Sequence, residues 1–260
     1  MGPGDSNKTY SKSKFVLTDW WADPDRTLWI VSSTELRGAE LRIWGMLKQL
    51  FNRARQLHPD LPGKVLESMH CITTEEISED QSEGRLLTKG IIFIPCKRGG
   101  TFVGMGAYTG IKPQPGGKLG HAGDEVSAMS RVFLDAYSNW YGKPNFKGVM
   151  SGNPYDLDDA LCIAAEPIEG WSAWQDTEKT QTWRSKFYDA AVVAFDGRDS
   201  PNFDYPRSQP TRYPYLLGHK KMEAVAKTHG KDSWQYFTQC VGKPRPGVAA
   251  KRVLTRVACE

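Results

Sequence analysis

The 260-residue sequence has no apolar run approaching the ~18–20 residues of a membrane-spanning helix, so no span is expected. Its polar, glycine-containing start does not read as a secretory signal. Five cysteines, Cys71, Cys96, Cys162, Cys240 and Cys259, are scattered, odd in number and without a C-x-x-C pair. That pattern argues against a disulfide framework or a zinc site, and for a reduced, intracellular compartment. No internal repeat is present. What remains, 39% hydrophobic and 25% charged residues, is the composition of an ordinary soluble globular protein of one or two domains.

Charge is nearly balanced but unevenly placed. The net charge is +4, and all of it falls between Val241 and Glu260, where Lys243, Arg245, Lys251, Arg252 and Arg256 face one acid, Glu260. A basic tail of this kind can contact nucleic-acid phosphates. A merely solvated basic terminus explains it as well.

Hydrophobic spacing predicts a helix over 8–21, with Phe15, Val16, Leu17, Trp20 and Trp21 on one face, ended by Asp23-Pro24-Asp25. Thr27–Val31 reads as a strand buried on both faces, and Gly90–Pro95 as another. A helix is expected over 39–56, a loop from Gly110 leading into a short strand that ends at Asp124, and a helix over 126–140. Strands follow at Phe146–Met150 and Ala190–Phe195, then short helices near His219–Thr228 and Ser233–Cys240. Strands alternating with helices predict an α/β fold, a mainly parallel sheet with helices on both faces.

Two motifs carry chemistry. Gly2-Pro3-Gly4-Asp5-Ser6-Asn7-Lys8-Thr9 fits the phosphate-loop (Walker A) pattern G-x-x-x-x-G-K-[ST] except that Asn7 replaces the second glycine. In such a loop, backbone N–H groups and a helix N-terminus bind phosphates, Lys8 reaches the β/γ-phosphates, and Thr9 ligates magnesium. Asparagine is a mild replacement because it tolerates left-handed backbone. A chance match in a glycine-containing terminus is the bland alternative. The second motif is Asp124-Glu125 (Walker B), where the aspartate would hold magnesium and the glutamate orient or deprotonate the attacking water. An acidic pair stabilising a helix start is its bland alternative. Ser151-Gly152-Asn153 ends the next strand, where a polar residue could sense the γ-phosphate; otherwise Gly-Asn-Pro is a turn. Asp156, Asp158 and Asp159 read as a solvated helix start, and His70-Cys71 as structural.

These residues, in this order, resemble the ATPase domain of tailed-phage terminase large subunits, the viral DNA-packaging motor. The resemblance also takes in Val31-Ser32-Ser33-Thr34, Arg42-Ile43-Trp44-Gly45, Glu166-Pro167 with Gly170-Trp171, and Phe195-Asp196-Gly197 with Asp199-Ser200-Pro201-Asn202. It implies a P-loop NTPase fold that uses ATP and Mg2+, with Gly2, Gly4, Ser6, Asn7, Lys8 and Thr9 at the nucleotide and Thr9 and Asp124 at the metal. Glu125 and Lys8 become catalytic, and Ser151, Gly152 and Asn153 form the motif coupling hydrolysis to DNA movement. By the same resemblance the partners are double-stranded DNA, a portal protein, a small terminase subunit and further copies in a ring, with no membrane. The location is the host cytoplasm, transiently the procapsid portal. The family's phosphate-loop arginine has no counterpart, leaving Arg37 and Arg42 as candidates.

Three departures bear on activity. The first strand, which should precede the loop, is missing before Gly2, and the adenine-contacting segment would lie upstream of Met1. The nuclease domain that follows in the family is absent, so DNA cutting is not expected. The expected organisation is an ATPase domain over 1–200 and a helical linker segment with the basic tail over 201–260. The leading reading is an ATP-hydrolysing packaging motor. A catalytically inactive remnant keeping the fold and nucleic-acid or partner binding is the alternative, and a helicase-like P-loop enzyme a third.

Overall fold

The computed structural model describes residues 1–4, 6–34, 36–77, 87–96, 108, 110–174 and 180–245. They divide into two compact units. One, the sheet unit, comprises Thr9–Asp124 and Met129–Met150; the other, the loop unit, comprises Met1–Lys8, Glu125–Ala128 and Ser151–Glu260. This division does not follow the expected boundary at residue 200. The segment beyond 200 groups with the residues before it and with the N-terminal loop.

The sheet unit is built around β1 (Thr27–Ser33), all seven residues of which are buried. A strand apolar on both faces belongs in the middle of a sheet covered twice. β1 runs parallel to β4 (Gly90–Pro95) on one side and to β5 (Lys118–Asp124) on the other. The six-stranded order is β2-β3-β4-β1-β5-β6, where β2 is Lys64–Leu66, β3 Cys71–Thr73 and β6 Phe146–Ser151. β2 and β3 add antiparallel pairs at one side. The expected mixed α/β architecture with a mainly parallel sheet is what the chain forms.

Alternation along β1 and β5 sorts the layers. Trp29, Val31 and Ala122 join a core with Val16, Leu17 and Trp20 of α1 (Lys8–Trp21) and with Ile43, Trp44, Leu47 and Phe51 of α3 (Ile43–Leu57). Each Val, Leu, Ile or Phe side chain among them, fully buried, contributes about 1.5–3 kcal/mol. On the opposite face His121 packs against Phe133, Tyr137 and Trp140 of α4 (Val132–Trp140), with ring centroids 4.3, 6.3 and 4.9 Å away. Gly120 is required by contact: a Cβ there would lie 2.2 Å from the Trp29 indole.

Two expected helices are broken. The helix foreseen over 39–56 is α2 (Leu36–Glu40) and then α3, and Leu41, counted on its apolar face, is 82% exposed. At the break the chain doubles close to itself, since a Cβ on Gly45 would stand 2.4 Å from the Glu40 carbonyl oxygen. The helix foreseen over 126–140 is a 3-10 turn, Val126–Ala128, followed by α4. Ser130 marks the break, because its hydroxyl accepts from the Val132 amide, a donor that a continuous helix would use.

The loop unit has a small antiparallel pair, β7 (Gln181–Arg184) with β8 (Ala191–Ala194), and a modest apolar core of Leu217, Tyr236, Cys240 and Val241. Its helices are α5 (Ala160–Ala165), α6 (His219–His229) and α7 (Trp234–Tyr236), the last continued by a π-turn over Phe237–Val241. Polar side chains do much of the holding. Asn202 donates to the carbonyls of Tyr213, Leu216 and Leu217 and accepts from the Tyr213 amide. Asp159, expected in a solvated helix start, is instead buried. It caps α5 through Cys162 N at 2.8 Å and also accepts from the amides of Tyr155 and Asp156. Burial raises its pKa, and those bonds pull it back.

Met1 pairs with the end of β8. Its N-terminal nitrogen donates to Val193 O at 2.8 Å, and Phe195 N donates to Met1 O at 3.1 Å. Those two bonds are the pattern of a parallel partner of β8.

Among the described residues no helix is long and apolar enough to cross a membrane. Cys71, Cys96, Cys162 and Cys240 are free and buried; Cys259 lies outside the described residues.

Candidate functional site

In the loop unit, Gly2 and Pro3 are buried and pinned from two sides. A Cβ on Gly2 would lie 3.3 Å from Phe195 Cβ. Gly242, at φ 82, passes so close to Pro3 that a Cβ would lie 2.3 Å from its ring. Ser6 Oγ donates back to Pro3 O at 2.9 Å, closing the turn. Asn7 adopts φ 56, the left-handed conformation for which the motif's glycine is normally needed. Asparagine here takes a backbone conformation otherwise left mostly to glycine. Asp5 lies outside the described residues.

The Lys8 ammonium turns into this loop. Its Nζ donates to Gly2 O at 3.2 Å, to Pro3 O, to Ser6 Oγ at 2.9 Å and to Asn153 Oδ1 at 2.9 Å. Asn153 is the third residue of Ser151-Gly152-Asn153, so the expected phosphate lysine and coupling motif are directly bonded. The Asn153 carbonyl in turn accepts from Ser127 Oγ, two residues beyond Glu125. Gly152 permits that approach, since a Cβ there would stand 2.9 Å from Ser127 Oγ. Ser151 is buried. Glu125 is half-buried at φ 58, a left-handed conformation that glutamate rarely adopts. Such backbone persists where the surroundings impose it, often at functional sites.

In the sheet unit, Thr9 Oγ1 lies 3.2 and 3.1 Å from the two carboxylate oxygens of Asp124. The first turn of α1 carries no acid, leaving the positive end of the helix dipole to an anion. A hydroxyl beside a carboxylate is a hard-oxygen donor set that suits magnesium. Among the described residues no group of three His, Cys, Asp or Glu could hold a metal by itself. Magnesium characteristically binds through one or two carboxylates completed by waters and substrate phosphates. The residues therefore fit that ion.

Sequence reasoning overlooked Lys12. Its Nζ lies 2.6 Å from Asp124 Oδ1 and 2.7 Å from Gly123 O, with both side chains 2% exposed. Helical spacing was the available signal, because Lys8 and Lys12 are i,i+4 and Thr9 and Lys12 i,i+3. Lys221 on α6 was also missed; a Cβ on Gly4 would lie 3.3 Å from its Nζ. No local sequence pattern ties residues so far apart.

The basic tail requires correction. Lys243 is fully buried and paired with Asp196 at 3.3 Å, which removes it as a contact for nucleic acid. Arg245 is bound to Asp232 and lies over the Phe237 ring. Lys251, Arg252 and Arg256 lie outside the described residues. Arg42 is folded back on Gly38 O at 3.0 Å, and Arg37 is exposed on α2.

No protein-family model matches the chain. No curated protein matches it either. Among solved structures it is similar to the large terminase from a thermophilic bacteriophage, crystal form 2, with TM-score 0.42, 15% identity and coverage of 62% of this chain and 35% of that one. The same terminase in complex with ADP, crystal form 3, gives TM-score 0.39 and 15% identity over 60% and 34%. The chain thus spans about a third of the length of that terminase.

Proposed function

We propose that this chain binds and hydrolyses ATP with Mg2+ as the motor domain of a viral DNA-packaging terminase large subunit. The observation that carries the reading is the pairing of two consecutive residues. Lys8 bonds Asn153 of the coupling motif, and Thr9 bonds Asp124 of the acidic pair. A chance phosphate-loop match in a terminal segment gives no reason for either bond.

Each residue then has a role. The amides of the turn from Gly2 to Asn7 and the acid-free start of α1 bind phosphate oxygens, and Lys8 exchanges carbonyl and hydroxyl partners for the β/γ-phosphates. Thr9 and Asp124 hold magnesium, which when bound neutralises charge on the phosphate oxygens. Glu125 orients a water for in-line attack on the γ-phosphorus and accepts its proton. Asn153, already on Lys8, exchanges contacts when the γ-phosphate comes and goes, which couples the nucleotide state to the segment after β6. DNA would be engaged through its phosphates by a ring of copies on a portal, with a small subunit as helper, in the host cytoplasm at the procapsid. With Lys243 buried, Lys251, Arg252 and Arg256 are the proposed basic contacts. Weakening of DNA binding with rising salt checks them.

Magnesium-ATP is expected to raise the melting temperature, since ligand at one hundred times its dissociation constant adds about 2.7 kcal/mol. Lys8→Ala should lose both the shift and turnover. Glu125→Gln should keep the shift and lose turnover by about 10²–10⁴-fold, the range for a general base. A melting shift without turnover in the native chain would instead identify a nucleotide-binding remnant. No shift and unaltered activity in both variants would refute the assignment.

A further inference from the structure

Lys12 has a place that packing alone does not explain. It lies one turn beyond Thr9 on α1, in a segment that already presents Lys8, and like charges at i,i+4 disfavour a helix. Burying an ammonium is costly unless an anion and further acceptors meet it. Here both are supplied by the end of β5: the Asp124 carboxylate at 2.6 Å and the Gly123 carbonyl at 2.7 Å. The anion it meets is the carboxylate assigned to the metal.

An ammonium at contact distance neutralises that carboxylate and repels any second cation brought close. A divalent ion arriving by itself would face a neutral pair with a fixed positive charge beside it. One arriving with nucleotide phosphates brings its own negative ligands. We propose that Lys12 is a tethered cation that makes divalent-metal binding at Thr9 and Asp124 conditional on the nucleotide. This rests on the nucleotide-site reading above. Lys12 is a positioning residue here: it acts on the metal through Asp124.

The test is the melting temperature of the full chain and of Lys12→Met, each with magnesium chloride alone, ATP alone, and both. The native chain should be unmoved by magnesium chloride alone and raised by magnesium with ATP. Lys12→Met should melt lower without metal and be raised by magnesium chloride alone. Its half-maximal metal concentration should fall at least about tenfold, since one repelling charge at contact has gone. Lys12→Arg, which keeps the charge, should behave as the native chain, and Lys12→Met with Asp124→Asn should lose the metal response. Equal responses of native chain and Lys12→Met to magnesium chloride alone, with ATP stabilising both, would overturn the role of Lys12 and leave the nucleotide site standing. No response to ATP, with or without metal, in either protein would overturn the nucleotide reading and this inference with it. Should Lys12→Met fail to fold, the native chain still decides. A rise with magnesium chloride alone as large as with magnesium-ATP sinks the proposal.

Discussion

The sheet unit and the loop unit are stabilised by different physics. In the sheet unit Trp20, Trp29, Trp44, Ile43, Leu47 and Phe51 are all essentially inaccessible, and apolar burial dominates. In the loop unit the apolar core is small, and buried polar groups fix the backbone: Asn202 on the 213–217 turn, Asp159 on α5, and Asp196 between Arg198 and Lys243. Apolar burial is forgiving of exchange among similar volumes, whereas buried ionic and hydrogen-bonded networks fail sharply when one member goes. A segment that must hold a loop in one backbone course gains from the second kind of support.

The largest expected effect breaks that comparison at Asp196. Its carboxylate is fully buried, with Lys243, also fully buried, 3.3 Å away and the Arg198 guanidinium on it. Asp196→Ala should cost about 3–5 kcal/mol, because an ammonium stays buried without this partner. Adding Lys243→Met should restore most of the loss, since it removes the buried charge and keeps the volume. Urea unfolding of the single and double variants measures both, and additive losses would contradict the network.

A smaller effect, confined to the sheet unit, follows from His121. Neither of its ring nitrogens has a hydrogen-bond partner among the described residues, and Tyr108, Phe133, Tyr137 and Trp140 enclose it. Burial lowers its pKa from 6.5 to about 3. The unfolded chain therefore takes up a proton below about pH 6.5 that the folded chain refuses. Stability from this group is full above that pH and falls as the solution is acidified towards pH 3. Between pH 6.5 and 5 the loss should be about 1.6 kcal/mol, the slope approaching about 1.4 kcal/mol per pH unit at the acid end. His121→Phe should flatten that slope in urea midpoints measured across the range. An unchanged slope would mean that other groups set the acid sensitivity.

The same contrast governs what could be read in advance. Periodicity located α1 and β4 with their observed ends, because long apolar faces and glycine-proline borders write themselves into local sequence. β2, β3, β7 and α5 went unread. They are three to six residues long, and partners distant in sequence stabilise them. At the candidate site, Lys8, Thr9 and Asp124 were legible as motif positions; Lys12 was signalled only by its helical spacing from Lys8 and Thr9, and the fold alone brings it to Asp124. Lys243 misled because charge says nothing of burial, and its partner Asp196 stands 47 residues away.

The smallest effect sharpens the comparison inside the loop itself. Asn7 holds φ 56, where most side chains cost about 1–2 kcal/mol and asparagine less. Asn7→Gly removes the residual strain and should change stability by no more than about 0.5 kcal/mol, because a freer unfolded chain offsets the gain. Asn7→Ala keeps a side chain at the same φ without the local hydrogen bonding that favours asparagine there, and should cost about 1 kcal/mol. The difference between the two variants, read as urea midpoints, isolates the backbone term from any lost contact. If the loop keeps its left-handed turn for phosphate, the same order should reappear in the concentration of magnesium-ATP needed for half the melting shift, lower for Asn7→Gly and higher for Asn7→Ala. An order that holds for stability and vanishes for nucleotide would mean that the turn serves the fold and not a ligand.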